Sequence, residues 1–260
     1  MLNLSRYFNF FITKIYMGFI EIKEYKVNTL IILLNDIIYM YITFIFINLF
    51  SNLTSYFDTW SNFDKFTYLI LLYSGVRIMR YFLLRRFSQK LKSGELNLYL
   101  TRPLNPFIFA ATNGINSVTV FSTFPVIISF IYIIIVGSYQ NILLTILLHI
   151  FGIFYFALIL NVCMSFAFFM KEFFLGRFIT DDLVPLSEKF TPASFSGNNI
   201  LEMLFYLLPT SFYGYLCIEL LKGNFIVLDY MFYGFLVFTI LLVLLIIMWK
   251  FGLKRYEAFG

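Results

Sequence analysis

The sequence predicts an all-α polytopic membrane protein with six transmembrane helices, and three observations predict it. Of 260 residues, 61% are hydrophobic and 13% charged, with a mean hydropathy of +0.85. Soluble domains run about 45–50% apolar and about 25% charged. Six separate apolar runs have the length a bilayer requires. Lys and Arg gather in alternate connections between those runs. No water-soluble fold hides this much apolar surface, so a soluble enzyme, a secreted disulfide scaffold, a nucleic-acid-binding module and a disordered tail are excluded. The net charge of +5 reports topology, with membrane lipid and not nucleic acid as the partner.

The runs fall at 29–50, 66–84, 106–136, 141–170, 200–221 and 226–249. The third and fourth, at roughly 30 residues, would extend about 45 Å as straight helices. They must tilt, kink or leave the membrane. Pro125 and Pro209 are the expected kinks. Fifteen Lys and Arg lie in the leader, the second connection, the fourth connection and the tail, against Lys65 and Lys222 on the other side. The positive-inside rule then places both termini in the cytoplasm of a cell (inner) membrane. Trp249 and Lys250 would anchor the sixth helix at the inner interface. No cleavable signal peptide is expected, because the first long run starts near Thr29 and is too long for one.

Leader residues 1–28 read as an amphipathic elbow. Leu4, Phe8, Phe11, Ile15, Phe19 and Ile22 recur every three or four positions, with Arg6, Asn9, Thr13, Lys14, Glu21 and Glu24 between them. Such a helix lies in the interface plane.

The 85–106 connection is the most informative stretch. Lys90 and Lys92 suit a helix C-terminus, and Gly94 follows as the residue just past it. The second helix is therefore expected to run out of the membrane before stopping. Pro103 biases Arg102 towards extended backbone. Asn105 and Pro106 read as cap and first residue of the next helix. A compact, charged loop with exposed Leu and Tyr reads as a docking surface. Its candidate residues are Arg86, Lys90, Gly94, Glu95, Leu96, Leu100, Arg102, Pro103 and Pro106. Glu95 and Arg102 are expected to make charge-assisted bonds, across an interface or within the loop. The 171–199 connection has mixed charge, two prolines and a Ser-Phe-Ser-Gly turn signal.

Asp36 and Arg77 stand inside the first and second helices. Each lies eight residues from a cytoplasmic marker, or about 12 Å along its axis, so their depths match on antiparallel neighbours. Pairing would relieve a burial cost on the order of 2.5–3.5 kcal/mol for each charge. The alternative is that Arg77 snorkels, as Arg80 one turn nearer the cytoplasm would, while Asp36 faces water at a seam.

Cys163 and Cys217 lie in apolar runs and read as small buried hydrophobes. The lone His149 makes no metal site, and no catalytic residues stand out. No Gly precedes a Lys, so there is no phosphate-binding P-loop. Neither H-E-x-x-H nor G-x-S-x-G occurs. The chain itself is expected to bind no cofactor and hydrolyse no ATP.

The run Ser93-Gly94-Glu95-Leu96…Leu100-Thr101-Arg102-Pro103-Leu104-Asn105-Pro106 resembles the hallmark of a group of ABC-2-type transporter permeases. Trp249 to Tyr256 resembles that family's terminal W-R-F-G-L-R-x-Y. Leu208-Pro209, with Leu221-Lys222-Gly223, resembles its fifth helix, and Tyr25 to Asn28 its entry to helix one. Asn97 stands where the family has Asp. The resemblance implies a six-helix export permease for drugs, peptides or lipid-like molecules. It implies a second permease, alike or different, and two ATP-binding subunits that hold ATP and Mg. The 85–106 segment would be the coupling loop, and 210–224, after Pro209, an outer re-entrant element. A break at Pro209 would let Ser211, Tyr213 and Glu219 meet water at an outer gate, with Glu219 a surface acid there. Two other readings stay open on the residues. A secondary transporter would show internal repeats and intramembrane acids, and an intramembrane enzyme would need clustered His, Asp or Glu.

Overall fold

The computed structural model describes residues 4–53, 60–84, 86–137, 141–170, 192–195, 199–225 and 227–256. The expected 171–199 loop lies outside the described residues except for 192–195 and 199. Among the described residues the chain is helical, without strands. Five helices are long and apolar enough to cross a membrane, or six if one bent pair counts as a single span.

Helix α1 (Leu4–Glu24) covers the leader and α2 (Lys26–Leu53) the first span, joined at Tyr25. Helix α3 (Asn62–Met79) opens on a capping box: the Ser61 hydroxyl accepts from the Asp64 backbone N–H while the Asp64 carboxylate accepts from the Ser61 N–H. It tightens into a 3₁₀ turn over Arg80–Phe82, and Leu83 is extended. The second helix therefore stops short of the loop, where the sequence predicts that it continues. Asn161 explains the stop. Its amide donates to the Phe82 carbonyl at 2.8 Å and accepts from the Leu84 N–H at 2.9 Å, satisfying two backbone groups that the break frees.

The chain then makes short helices α4 (Phe87–Lys92), α5 (Leu96–Leu100), α6 (Pro106–Thr112) and α7 (Ser117–Phe121) before α8 (Thr123–Val136). The third helix is expected unbroken from 106 with a kink at Pro125. It breaks instead at Asn113–Asn116. Pro125 falls in the first turn of α8, where its missing N–H has no helical partner to lose. The break is built by polar groups. The Asn116 side chain accepts from Thr119 N, and α1 supplies the rest: Glu21 accepts from Ser117 N at 2.9 Å, and Lys14 donates to Asn113 Oδ1 at 2.9 Å. Phe11 stacks on Phe82, and Gly18 lets α1 approach Val120.

Helix α9 (Ile142–Ser165) is the central strut. Helix α10 (Asn199–Leu207) meets the segment 211–221 at 73°. That segment is a π-helical turn, Ser211–Tyr215, running into α11 (Leu216–Leu221). Helix α12 (Val227–Arg255) ends the described chain. Pro209 causes the bend by removing the N–H that would bond the Phe205 carbonyl. The Ser211 hydroxyl donates to that carbonyl instead. Tyr155 donates to the Leu207 carbonyl at 3.1 Å, and His149 Nδ1 lies 2.8 Å from the Tyr213 carbonyl. Close approach is needed at Gly75, Gly152 and Gly234. A Cβ on Gly152 would sit 2.6 Å from Tyr213 N, and one on Gly234 would meet the Phe212 ring.

A second apolar cluster lies at the loop end, around Phe87, Leu91, Leu96, Tyr99, Ala110, Met248 and Trp249. Trp249 is thus interior and not the interface anchor predicted from sequence: its indole donates to Ser165 Oγ at 2.9 Å, and Phe87, Phe107 and Phe168 pack on it. Cys217 is fully buried and Cys163 partly so, both as free thiols.

Tyr155→Phe should destabilise the protein by about 1–3 kcal/mol, because it strands the Leu207 carbonyl. Gly152→Ala should cost at least as much, since the clash is with backbone and cannot be relieved by a rotamer change. Thermal unfolding of the purified chain in detergent, scanned for both variants against wild type, checks this.

Candidate functional site

The loop between α3 and α6 has a buried base and an exposed tip. Arg86 adopts left-handed backbone at φ 53°, which turns the chain into α4. Phe87 and Leu91 are buried on one face of α4, and Phe87 packs on Trp249. Ser93 caps the helix, and Gly94 at φ +75° takes the left-handed position just past it, which any side chain would strain. Helix α5 then presents two faces. Leu96 and Tyr99 are buried, whereas Leu98 is 62% and Leu100 45% exposed. The Tyr99 hydroxyl accepts from the Asn113 amide at 3.0 Å, and Lys90 sits over its ring. Burial pushes the Tyr99 hydroxyl above its ordinary pKa, with the Asn113 bond opposing, so it stays neutral.

Asn105 caps α6 by accepting from Phe107 N, with Pro106 in the first helical position. Its own N–H donates to Tyr7 of α1 at 3.0 Å. Glu95, Arg102 and Pro103 are exposed, and among the described residues Glu95 and Arg102 make no ion pair with each other. The loop is therefore held in shape by its aromatic base and caps, with Glu95 and Arg102 exposed and Glu95 acting on the Tyr99 hydroxyl within the loop.

The second constellation joins the first two spans. Asp36 is buried on α2, and Arg77 of α3 forms an ion pair with it. The Tyr73 hydroxyl donates to the other carboxylate oxygen at 2.8 Å, and the Arg77 guanidinium lies 4.9 Å from the Tyr73 ring centre. The carboxylate is thus bound on both oxygens, as a charge at membrane depth requires. Helix α2 otherwise touches the protein along a narrow stripe in which Thr29, Asp36 and Thr43 recur every seven residues.

A family model described as ABC-2 family transporter protein matches residues 37–260. The chain belongs to the ABC-2 transporter family. It is a multi-pass membrane component of a transport system. Comparison with curated proteins and with solved structures gives no match.

In this ABC-2 permease the residues after Pro209 lie differently from the water-facing gate that the sequence suggests. Ser211, Tyr213 and Glu219 are all buried. Glu219 is no surface acid: the Trp60 indole donates to one oxygen at 3.1 Å and the Asn224 amide to the other at 2.7 Å. Trp60 stacks on Tyr215, and Tyr206 stacks on Tyr230, so aromatic rings surround this end. The 73° bend is the reason, because it folds 211–221 back between α3, α9 and α12.

Sequence reasoning missed the buried link between α3, α9 and the π-helical turn. His149 Nδ1 faces a carbonyl and so must carry a proton. The Ser74 hydroxyl lies 2.9 Å from Nε2 and 2.8 Å from the Leu71 carbonyl, with one proton to give. His149 was legible only as a lone histidine, and Asn161 only as a polar residue in an apolar run. Each proves to face a backbone break on another helix. Among the described residues no group of His, Cys, Asp or Glu could hold a metal.

Asp36→Asn should destabilise the permease by about 3–5 kcal/mol, because it leaves the Arg77 charge buried without its carboxylate. Adding Arg77→Gln should restore part of the loss. A double-mutant cycle on apparent Tm, with yield of folded protein from membranes, measures the coupling; additive effects would contradict it.

Proposed function

We propose that this permease is one membrane half of an ABC exporter, and that its 86–106 loop docks on a separate ATP-binding subunit. The observation that supports this reading is the pairing of a rigid loop base with a protruding tip, where Leu98, Leu100 and Pro103 are exposed beside Glu95 and Arg102. An apolar tip rimmed by both charge signs suits a protein groove better than water. Lys90, Gly94, Leu96 and Pro106 act beneath it as shape-holding residues, and Arg86 turns the chain into it.

In this reading the loop end faces the cytoplasm, both termini lie there, and the protein resides in the cell membrane. Two ATP-binding subunits carrying ATP and Mg would serve two permeases, alike or different. Helix α1 is the interfacial elbow. It presents Phe8, Ile12 and Tyr16 outward and holds the α6–α7 break through Lys14 and Glu21. Partial burial lowers the pKa of the Lys14 ammonium, with Glu21 opposing. Pushing on the loop tip would move α6, and through Tyr7 and Lys14 it would move α1 as well. Residues 210–224 are the re-entrant element before the last span, with Pro209 bending the chain into it and the buried Tyr213 and Glu219 packing it in place. The substrate class is a drug, peptide or lipid-like molecule.

Expressed with a candidate partner, the permease should co-purify with an ATPase bearing a P-loop. Glu95→Lys should leave membrane insertion intact and uncouple ATP hydrolysis from transport. Leu98→Asp with Leu100→Asp should lower recovery of the ATPase at least tenfold. Full recovery and full coupling in all these variants would refute the docking assignment.

A further inference from the structure

The outward face of the first span carries an amide that hydrocarbon does not suit. Asp36, paired with Arg77, holds α2 against α3 along the buried stripe of Thr29, Asp36 and Thr43. Asn35 precedes Asp36 by one residue, which turns it about 100° round the helix, and it is exposed. Helix α2 is long and apolar enough to cross the membrane over Lys26–Leu49. Asn35 therefore lies roughly 13 Å along the axis from Lys26, well inside the span. A threonine at membrane depth can satisfy its hydroxyl on its own helix, as Thr43 does on the Tyr39 carbonyl at 2.8 Å. A primary amide also carries a carbonyl that needs a donor, and the N–H groups around it are already taken by the helix ladder.

The rest of that face is aliphatic. Ile31, Asn35, Ile38, Ile42, Ile45 and Leu49 follow one another at alternating steps of four and three residues, and the five apolar ones are 40–60% exposed. Such steps average 3.5 residues, the repeat by which two helices pack knobs into holes along a left-handed seam. Membrane bundles mostly cross in this way. An Asn within such a seam fixes register and oligomer state. Lipid chains suit the aliphatic side chains and leave the amide unfilled. Water fills the amide and wets the aliphatic side chains. A parallel helix with an amide at the same depth suits both. Two copies of this chain share one orientation in the membrane, so in a two-fold pair each residue meets its own depth. The asparagine amide is its own complement, with N–H₂ to donate and a carbonyl to accept.

We propose that α2 pairs with α2 of a second copy of this chain along the Ile31–Leu49 seam, where Asn35 bonds to Asn35 of that copy and sets the register. This names the other membrane half, and it rests on the exporter reading only for there being two halves.

Disulfide cross-linking in native membranes tests it. The full chain carries Cys163→Ala and Cys217→Ala and one new cysteine at a time. Ile38→Cys and Ile42→Cys should give a covalent dimer of this chain under mild oxidation. Leu30→Cys and Ile37→Cys, 59% and 54% exposed on α2 but off the seam, should give at least about fivefold less. Added to Ile38→Cys, Asn35→Leu should lower the yield about threefold, the loss of one ordinary interhelical hydrogen bond. Asn35→Gln, which keeps the amide, should retain most of it. A second measure needs no new cysteine and stands if the cysteine-free chain fails to fold: fluorescent wild-type chain in bilayers should bleach in two steps, and Asn35→Leu more often in one. Equal yields on and off the seam, a cross-link that forms only to a different permease, or labelling of Asn35→Cys by a membrane-impermeant thiol reagent would overturn the proposal. The pair needs no ATPase. Cross-linking in a chain that brings down no ATPase would support it while counting against the docking assignment.

Discussion

Hydrocarbon cannot satisfy a free backbone N–H or C=O, and that constraint organises this protein. Among the described residues, three helix breaks are closed chiefly by side chains reaching from other helices. Asn161 of α9 closes the end of α3. Glu21 and Lys14 of α1 attend the break before α7. Ser211, Tyr155 and His149 attend the carbonyls released around Pro209. Asn161, Tyr155 and His149, polar groups within one apolar run, thus each meet a backbone break on another segment. Because α9 supplies partners to both α3 and the bent fifth segment, it fixes their relative positions.

The bent segment is held by shape as well. Phe212 and Tyr213 project from the π-helical turn into notches made by Gly75, Gly152 and Gly234 on three other helices. Small residues of this kind let membrane helices pack closely where no hydrophobic effect drives association. The buried Glu219, with both oxygens accepting hydrogen bonds, closes the same element at its far end. A segment locked by glycine notches and paired polar groups has few intermediate positions. Its movement would exchange one packed arrangement for another.

At the loop end the logic differs, because the tip is exposed. Its stability comes from Leu96 and Tyr99 on the inner face of α5 and from Trp249 beneath α4. The outer face is left with side chains that water does not favour. Helix α1 straps the base of this loop to the first span. A force on the tip would therefore reach α2 along two routes: through α6 and α1, and through α3 with its Arg77–Asp36 pair.

The sequence alone determined the class, because no soluble fold buries a composition that is 61% hydrophobic. It also determined the helix stop before Gly94, the Asn105–Pro106 start, the bend at Pro209 and the matched depths of Asp36 and Arg77. These follow from local chemistry: a left-handed cap, a missing N–H, a rise per residue. Tertiary structure decided the rest. The third helix breaks at Asn113 and not at Pro125, because a proline in the first turn costs nothing while α1 brings Lys14 to the Asn113 side chain and Glu21 to the Ser117 N–H. The second helix ends at Phe82 because Asn161, roughly 80 residues away, meets its last groups. Trp249 and Glu219 read as interfacial from their positions along the chain and are interior in the fold. Their partners, Ser165 at the end of α9 and Trp60 just before α3, come from segments whose placement no periodicity encodes. Local patterns record what each backbone segment can do by itself, and only the folded chain shows which distant side chain answers each unpaired group.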